Sequence, residues 1–325
     1  MNLLRRKFLL LSVGAAALPI VPSAVRAVTF PSRPVHIVVG FPPGGVGDTS
    51  ARLIGQSLQQ RWAQSVVVDN RPGAGGNVAA EAVVEARPDG GTLILVGLNN
   101  AINATLYKKL PFDFIRDIAM VAGIMRGPLV MVTNPAFAVK SVAELIAYAK
   151  ANPGKIDVGS AGNGATSHLA GELFKMMAGV SMVHVPYRGG AAARADLLAG
   201  RTQLMFDPVA DSIGFIRDGR LRALAVTSLN ASPALPGIPP LASVVPGYEV
   251  TSWYGLGAPK ATPVDMIAAL NAAVNASLAE PLVANRIRDL GAEPMIMNPS
   301  ELDAFLAADT EKWARAVKFS GANVD

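Results

Sequence analysis

VHIVVGFPPGGVGDTSARLIGQSLQQRW, residues 35–62, is the stretch whose pattern decides the fold. Val35, Ile37, Val38 and Val39 are β-branched and apolar, the composition of a buried strand. The run breaks at Gly40–Phe41–Pro42–Pro43–Gly44–Gly45–Val46–Gly47. Asp48 or Thr49 then offers an N-cap, and Leu53, Ile54, Leu58 and Trp62 recur at helical spacing. Strand, glycine loop and helix in this order bring several backbone N–H groups to the positive end of a helix. An anion can be held there without a basic side chain.

The same unit recurs along the chain. Ser65–Asp69 reads as a second strand, and Asn70–Asn77 (NRPGAGGN) as a second glycine loop, leading into a helix through Val78, Ala82, Val83 and Ala86. Thr92–Val96 is a third strand, ending at Asn99–Asn100. Alternation of this kind predicts a parallel sheet with helices on both faces. Ligands of such sheets bind beyond the carboxyl ends of the strands, so the loops at 44–48, 73–77 and 97–100 are expected on one rim. From Leu129 the pattern begins afresh. A strand to Thr133 precedes a helix capped by Ser141 and Glu144, and a strand at Ile156–Gly159 leads to the loop Ser160–His168 (SAGNGATSH) with its hydroxyl caps. Further strands are expected at Met182–Pro186, Thr202–Phe206 and Leu221–Val226, with helices through Leu197–Leu198 and near Phe215. Pro233–Pro246 is a proline-rich connection, Trp253–Ala258 a strand, and long helices open near Thr262–Asp265 and at Ser300. Two α/β units with matching glycine loops imply a cleft between two domains.

Composition narrows the function. Of the 325 residues 51% are hydrophobic and 16% charged, which suits a packed globular chain and excludes disorder. There is no cysteine, so disulfides, thiolate nucleophiles and cysteine-based metal sites are excluded. The formal charge of +5 is concentrated at the start. Residues 1–27 hold Arg5, Arg6, Lys7 and Arg26 and no acid, leaving 25 basic against 24 acidic side chains, a net of +1. No nucleic-acid partner is expected from such a balance. Met1–Ala27 itself reads as an export signal: Arg5–Arg6–Lys7, an apolar core from Phe8 to Ile20, and cleavage after Ala27 at Val25–Arg26–Ala27. The twin arginines followed by Phe8–Leu9 fit the twin-arginine route as well as the general secretory one. The apolar run is too short to span a bilayer.

Enzyme readings lack support. Gly45–Val46–Gly47 and Asp69, 24 residues further on, approach a dinucleotide fingerprint, but the third glycine is replaced by Ser50 and Pro42–Pro43 crowds the turn. A Gly-x-Ser-x-Gly elbow is absent, and Ser167 and His168, adjacent in sequence, point apart. His36 and His184 read as packing residues in strands. His168 and Glu172, one turn apart, read as an i, i+4 polar pair rather than metal ligands. Asp48 has two readings, an N-cap or a cleft carboxylate that would attract a ligand ammonium. Tyr187 suits a cleft lip, and Arg188 is the one plausible basic residue of the candidate loops. No cofactor and no metal is expected.

The motifs FPPGGVGDTSAR (41–52), VVDNRPGAGGNVAAEAV (67–83), NPGKIDVGSAGNGATSHLAGELF (152–174), VPYRGGAAARADLLAG (185–200), LRALAVTS (221–228) and SWYGLGAPKATP (252–263), in this order, carry a resemblance. The chain resembles the extracytoplasmic solute receptors of tripartite tricarboxylate transporters, the Bug-type proteins, over nearly all of its length after residue 27. The resemblance implies a type II periplasmic-binding-protein fold of class α/β, with domain I formed by residues 28–127 plus 252–325 and domain II by 128–251. It implies a monomeric, non-enzymatic periplasmic receptor that closes around a small carboxylate, an organic acid or acidic amino acid, and delivers it to membrane permease subunits. Carried onto matching positions, the ligand site would draw on Phe41, Gly44, Gly45, Asp48, Asn77, Ser160, Gly162, Gly164, Thr166, His168, Tyr187 and Asp207. Gly91 stands where an aromatic is usual, Asn99–Asn100–Ala101 where a histidine is common, and Pro239–Pro240–Leu241–Ala242–Ser243 where the family has an acidic run. A ligand-sensing accessory of a membrane histidine kinase is the alternative on the same fold. A periplasmic dinucleotide-dependent enzyme is the alternative on another.

Overall fold

The structure, a computed structural model, describes residues 30–322; the expected leader and its cleavage point lie outside them. In chain order the first elements are β1 (Val35–Val39), α1 (Val46–Trp62), β2 (Val66–Asn70), α2 (Asn77–Val84), β3 (Thr92–Gly97), α3 (Leu98–Leu106) and α4 (Phe114–Asp117). β4 (Ile118–Thr133) leads to α5 (Val142–Ala151), β5 (Asp157–Ser160), α6 (Thr166–Ala178), β6 (Val183–Pro186), α7 (Gly190–Leu198), β7 (Leu204–Pro208), α8 (Val209–Arg217) and β8 (Arg222–Val226). β9 (Thr251–Pro259), α9 (Val264–Leu278), α10 (Pro281–Asp289), β10 (Glu293–Pro294) and α11 (Pro299–Ser320) complete the described chain.

The strands lie in the order β2-β1-β3-β9-β4-β7-β5-β6, with β8 and β10 also paired to β4. β1, β2 and β3 are parallel, as are β5, β6 and β7. The sheet is nevertheless mixed rather than all parallel as expected, because β4 and β9 run antiparallel to their neighbours. β4 is the axis of the arrangement. Its leading part, Ile118–Pro128, pairs with β9, and its trailing part, Leu129–Thr133, pairs with β7 and β8.

Apolar residues on alternate faces of the strands account for the layers. Val35, Ile37, Leu93 and Leu95 pack against Ile54 and Leu58 of α1 and Ile267 and Leu270 of α9. Val130, Val132 and Met205 pack against Leu197 of α7. A third cluster runs through the molecule, joining Leu106 of α3, Leu169 and Phe174 of α6, and Leu302 and Trp313 of α11. Full burial of such side chains stabilises by about 1.5–3 kcal/mol each. α11 thus packs on both α3 and α6. The buried Asp309 pins it to the sheet: its carboxylate accepts from Trp253 Nε1 of β9 at 2.8 Å and from Trp313 Nε1 at 3.1 Å.

Several boundaries differ from expectation for identifiable reasons. α1 begins at Val46 with Gly45 as N-cap and no side-chain cap, so neither Asp48 nor Thr49 is the capping residue. α9 starts behind Pro263, and α11 starts at Pro299 behind a capping box of Asn298 and Glu301. α3, α4 and α10 were not expected, and β4 is three times as long as the Leu129–Thr133 strand read from the sequence. Among the described residues no single helix is long and apolar enough to cross a membrane.

Candidate functional site

The parallel strands end where helices begin, and this builds the site. A cavity of about 580 Å³ lies at the carboxyl ends of β1, β5, β6 and β7. Four helix N-termini reach it: Val46–Gly47 of α1, Thr166–Ser167 of α6, Gly190–Ala191 of α7 and Val209–Asp211 of α8. The N-cap residues are Gly45, Ala165, Gly189 and Pro208, and none supplies a side-chain cap. The first N–H groups of a helix have no intrahelical acceptor, so each of these ends presents donors and a partial positive charge of about half a unit.

The loops that carry these ends are held from behind. Asp48, three residues into α1, is buried and reaches back over its own helix start. Its carboxylate accepts from Gly44 N at 2.9 Å, Arg52 Nε at 3.0 Å and Asn70 Nδ2 at 2.9 Å. Burial pulls its pKa upward, but the bonds from Arg52, Gly44 and Asn70 outweigh it and hold the carboxyl below its ordinary range. Asn70, at the end of β2, also donates to Phe41 O at 3.1 Å, which ties the Phe-Pro-Pro turn to the sheet. The neighbouring rim is joined as expected: Asn99 and Asn103 of α3 both donate to Gly75 O.

On the opposite wall, Ser160 Oγ accepts from Gly162 N at 3.1 Å and lies 2.6 Å from His184 Nε2. Gly164 N donates to His168 Nδ1 at 3.0 Å, and Ala161 N to Ser167 Oγ at 2.9 Å. The hydroxyls therefore organise the loop internally rather than capping α6. His168 stacks on His184 with ring centroids 3.7 Å apart. Burial pushes the pKa of His168 down to about 3 and that of His184 to about 4, helped in both by the Lys175 ammonium. Both rings are neutral at ordinary pH, and His168 also lies 3.7 Å from Glu172, the i, i+4 neighbour. His36, by contrast, is exposed rather than packed.

The resemblance-derived positions fall into two groups. Phe41, Gly44, Gly45, Thr166 and Asp207 line the cavity. Asp48, Asn77, Ser160, Gly162, Gly164, His168 and Tyr187 are not among the lining residues, and Tyr187 donates to Asp196 Oδ2 at 2.9 Å. Arg188 is exposed and outside the cavity lining. The cation that does line it is Arg194 of α7, which the sequence reading missed. Arg194 ion-pairs with the fully buried Asp207 and lies 3.8 Å from Asp211. Asp207 also accepts from Ser212 Oγ at 2.5 Å. Burial raises the Asp207 carboxyl to about 6 despite Arg194 and Ser212, which pull the other way. Asn99, from the rim loop expected at 97–100, Ser252 and Tyr254, from the SWYGLG motif, and Met125 and Met205, which had no sequence signal, are further lining residues. Among the described residues no group of three or more His, Asp or Glu side chains is placed to hold a metal ion.

A cavity at converging uncapped helix N-termini defines a site suited to binding an anion. The comparisons carry this further. Residues 50–321 match the sequence profile of the tripartite tricarboxylate transporter family receptor, and the chain belongs to that family. It is 34% identical to the protein BugT of Bordetella pertussis over 94% of either chain. Among solved structures it is similar to Rpa4515 of R. palustris, determined with adipate: 37% identity, TM-score 0.83, covering 91% of this chain and all of that one. It is also similar to MatC of Rhodopseudomonas palustris, determined with bound malate: 31% identity, TM-score 0.78, covering 89% of this chain and all of that one.

Proposed function

We propose that the protein is a periplasmic receptor that captures a small carboxylate and presents it to the membrane permease subunits of a tripartite tricarboxylate-type transporter, without chemical conversion. The observation that carries this reading is the meeting of four helix N-termini without side-chain caps on one cavity whose single cation is already paired. Backbone donors and helix ends are suited to holding an anion that must later be released. The adipate and malate bound by its similar receptors are anions of this class. Domain I is assigned to 28–127 plus 252–325 and domain II to 128–251; the change of strand partners along β4 at Pro128–Leu129 supports that division. Export, with cleavage after Ala27, places the mature monomer where such a receptor works.

The test is direct. Mass spectrometry of small molecules released on denaturing the purified protein should find a carboxylate, and calorimetry should show it rebinding unchanged. Recovery of a turnover product, or no binding of any carboxylate, would overturn the reading.

A further inference from the structure

The titratable side chains lining the cavity are unequal in sign. Arg194 is the one cation, and Asp207 and Asp211 are both acids, a net of one negative charge. Four helix ends at about half a positive charge each add about two units. The wall as a whole therefore balances about one negative charge. The acids are also grouped. Asp207 and Asp211 flank Arg194 at the start of α8, and Asp207 Oδ1 is buried there without a hydrogen-bond partner. A Cβ added at Gly190, which lines the cavity, would stand 3.8 Å from that oxygen. A second ligand carboxylate brought to this end would meet the partly exposed Asp211 and an Arg194 whose charge is already paired with Asp207.

Most of the rest of the wall is apolar. Phe41, Val46, Met125, Leu129, Met205 and Val209 line it, with Tyr254 packed edge-on to Phe41 at 5.8 Å between ring centroids. A volume of about 580 Å³ falls within the range of about 300–1,000 Å³ typical of sites that enclose ligands with a sizeable body. Methionines at two of these positions adapt to flat or flexible apolar groups.

Resting on the carboxylate-receptor reading, we infer that the ligand carries a single carboxylate on an apolar body of about six carbons or more. The end of the ligand that lies toward Asp211 and the Arg194–Asp207 pair is uncharged or a hydrogen-bond donor.

Hexanoate and adipate, matched in length, separate charge from size, and benzoate and malate widen the comparison in ring and chain. Calorimetry at pH 7.5 on the full exported chain, freed of bound solute, would compare hexanoate with adipate and benzoate with malate. Hexanoate and benzoate are expected to bind at least tenfold more tightly than their partners, and Asp211→Asn is expected to narrow the hexanoate-to-adipate ratio at least threefold. Adipate or malate binding as tightly as the monocarboxylates overturns this inference and leaves the receptor reading standing. A ratio unmoved by Asp211→Asn overturns the charge argument. Failure of all four acids, with no carboxylate released on denaturation, removes both.

Discussion

At the scale of single residues, the titrating groups around the site work in opposite directions. His168 and His184 are held neutral by burial, with folded pKa values of about 3 and 4 against an unfolded value near 6.5. Below pH ~6.5 the unfolded chain binds protons that the folded one refuses, so their contribution is complete above that pH and is lost as pH falls. His168 alone is expected to cost on the order of 2 kcal/mol of stability between pH 7.5 and 5. Urea titrations at the two pH values would check this, with His168→Gln flattening the dependence. Asp207 behaves the other way. With its carboxyl raised to about 6, it becomes neutral over the same interval and leaves Arg194 facing Asp211 alone. Carboxylate affinity is expected to rise severalfold from pH 7.5 to 5.5, more for a dicarboxylate than for a monocarboxylate, as read by calorimetry. Asp207→Asn should abolish the rise. Neither environment was legible in the sequence. Asp48 reads as a cap because an Asp just before an apolar run of helical spacing is the usual N-cap signal. Gly45 takes the capping position without a side chain, so the acid is free to brace the loop.

At the scale of elements, the glycine at 164 decides how α3 meets the loop before α6. Its φ is +74°, and a Cβ there would stand 2.0 Å from Leu106 Cδ2. Gly164→Ala is expected to destabilise by about 1–3 kcal/mol through this overlap and the left-handed backbone. Leu106→Ala alone should cost about 2–5 kcal/mol. Because the two share one contact, the double variant should cost less than the sum, and denaturant midpoints of all four proteins give the coupling. β4 shows where sequence reading of elements failed. Gly123, Gly127 and Pro128 interrupt its apolar pattern and read as a break, so only its last five residues were recognised. Gly123 instead marks a close approach, since a Cβ there would meet Met295 O at 2.3 Å. α3 was missed because Gly97–Asn100 resembles a turn, although Asn100 Oδ1 accepts from Gly97 N at 2.9 Å and so starts a helix. The βα units with long apolar strands were legible throughout, because periodicity and glycine loops agree there. Arg194 was not, because it lies mid-helix and is brought to the cavity only by the fold.

At the scale of the molecule, β4 and β9 are paired with each other where they pass from one part of the sheet to the other, at Gly127–Ser252 and Pro128–Thr251. Hinge closure around a ligand is a motion of periplasmic binding proteins, and this crossing is where a hinge is expected. Small-angle scattering is expected to show a smaller radius of gyration with saturating ligand, and Trp253, fully buried beside this crossing, should change its emission. Identical curves with and without ligand would exclude closure. α11 rests on α3 and α6 at once, so such a motion is expected to shift these contacts.

The position of β9 bears on how the chain comes together in time. This strand, drawn from residues 251–259, lies between β3 and β4, which are made well before it. A chain emerging from its N-terminus therefore carries two unfilled inner edges, one on β3 and one on β4, until more than three-quarters of its length has been synthesised. Unfilled edges invite pairing with other chains, and long-range pairing of this kind closes slowly. Completion of the sheet between β3 and β4 is thus a late event governed by residues 251–259, and the residues before them are expected to need shielding from one another until that strand arrives.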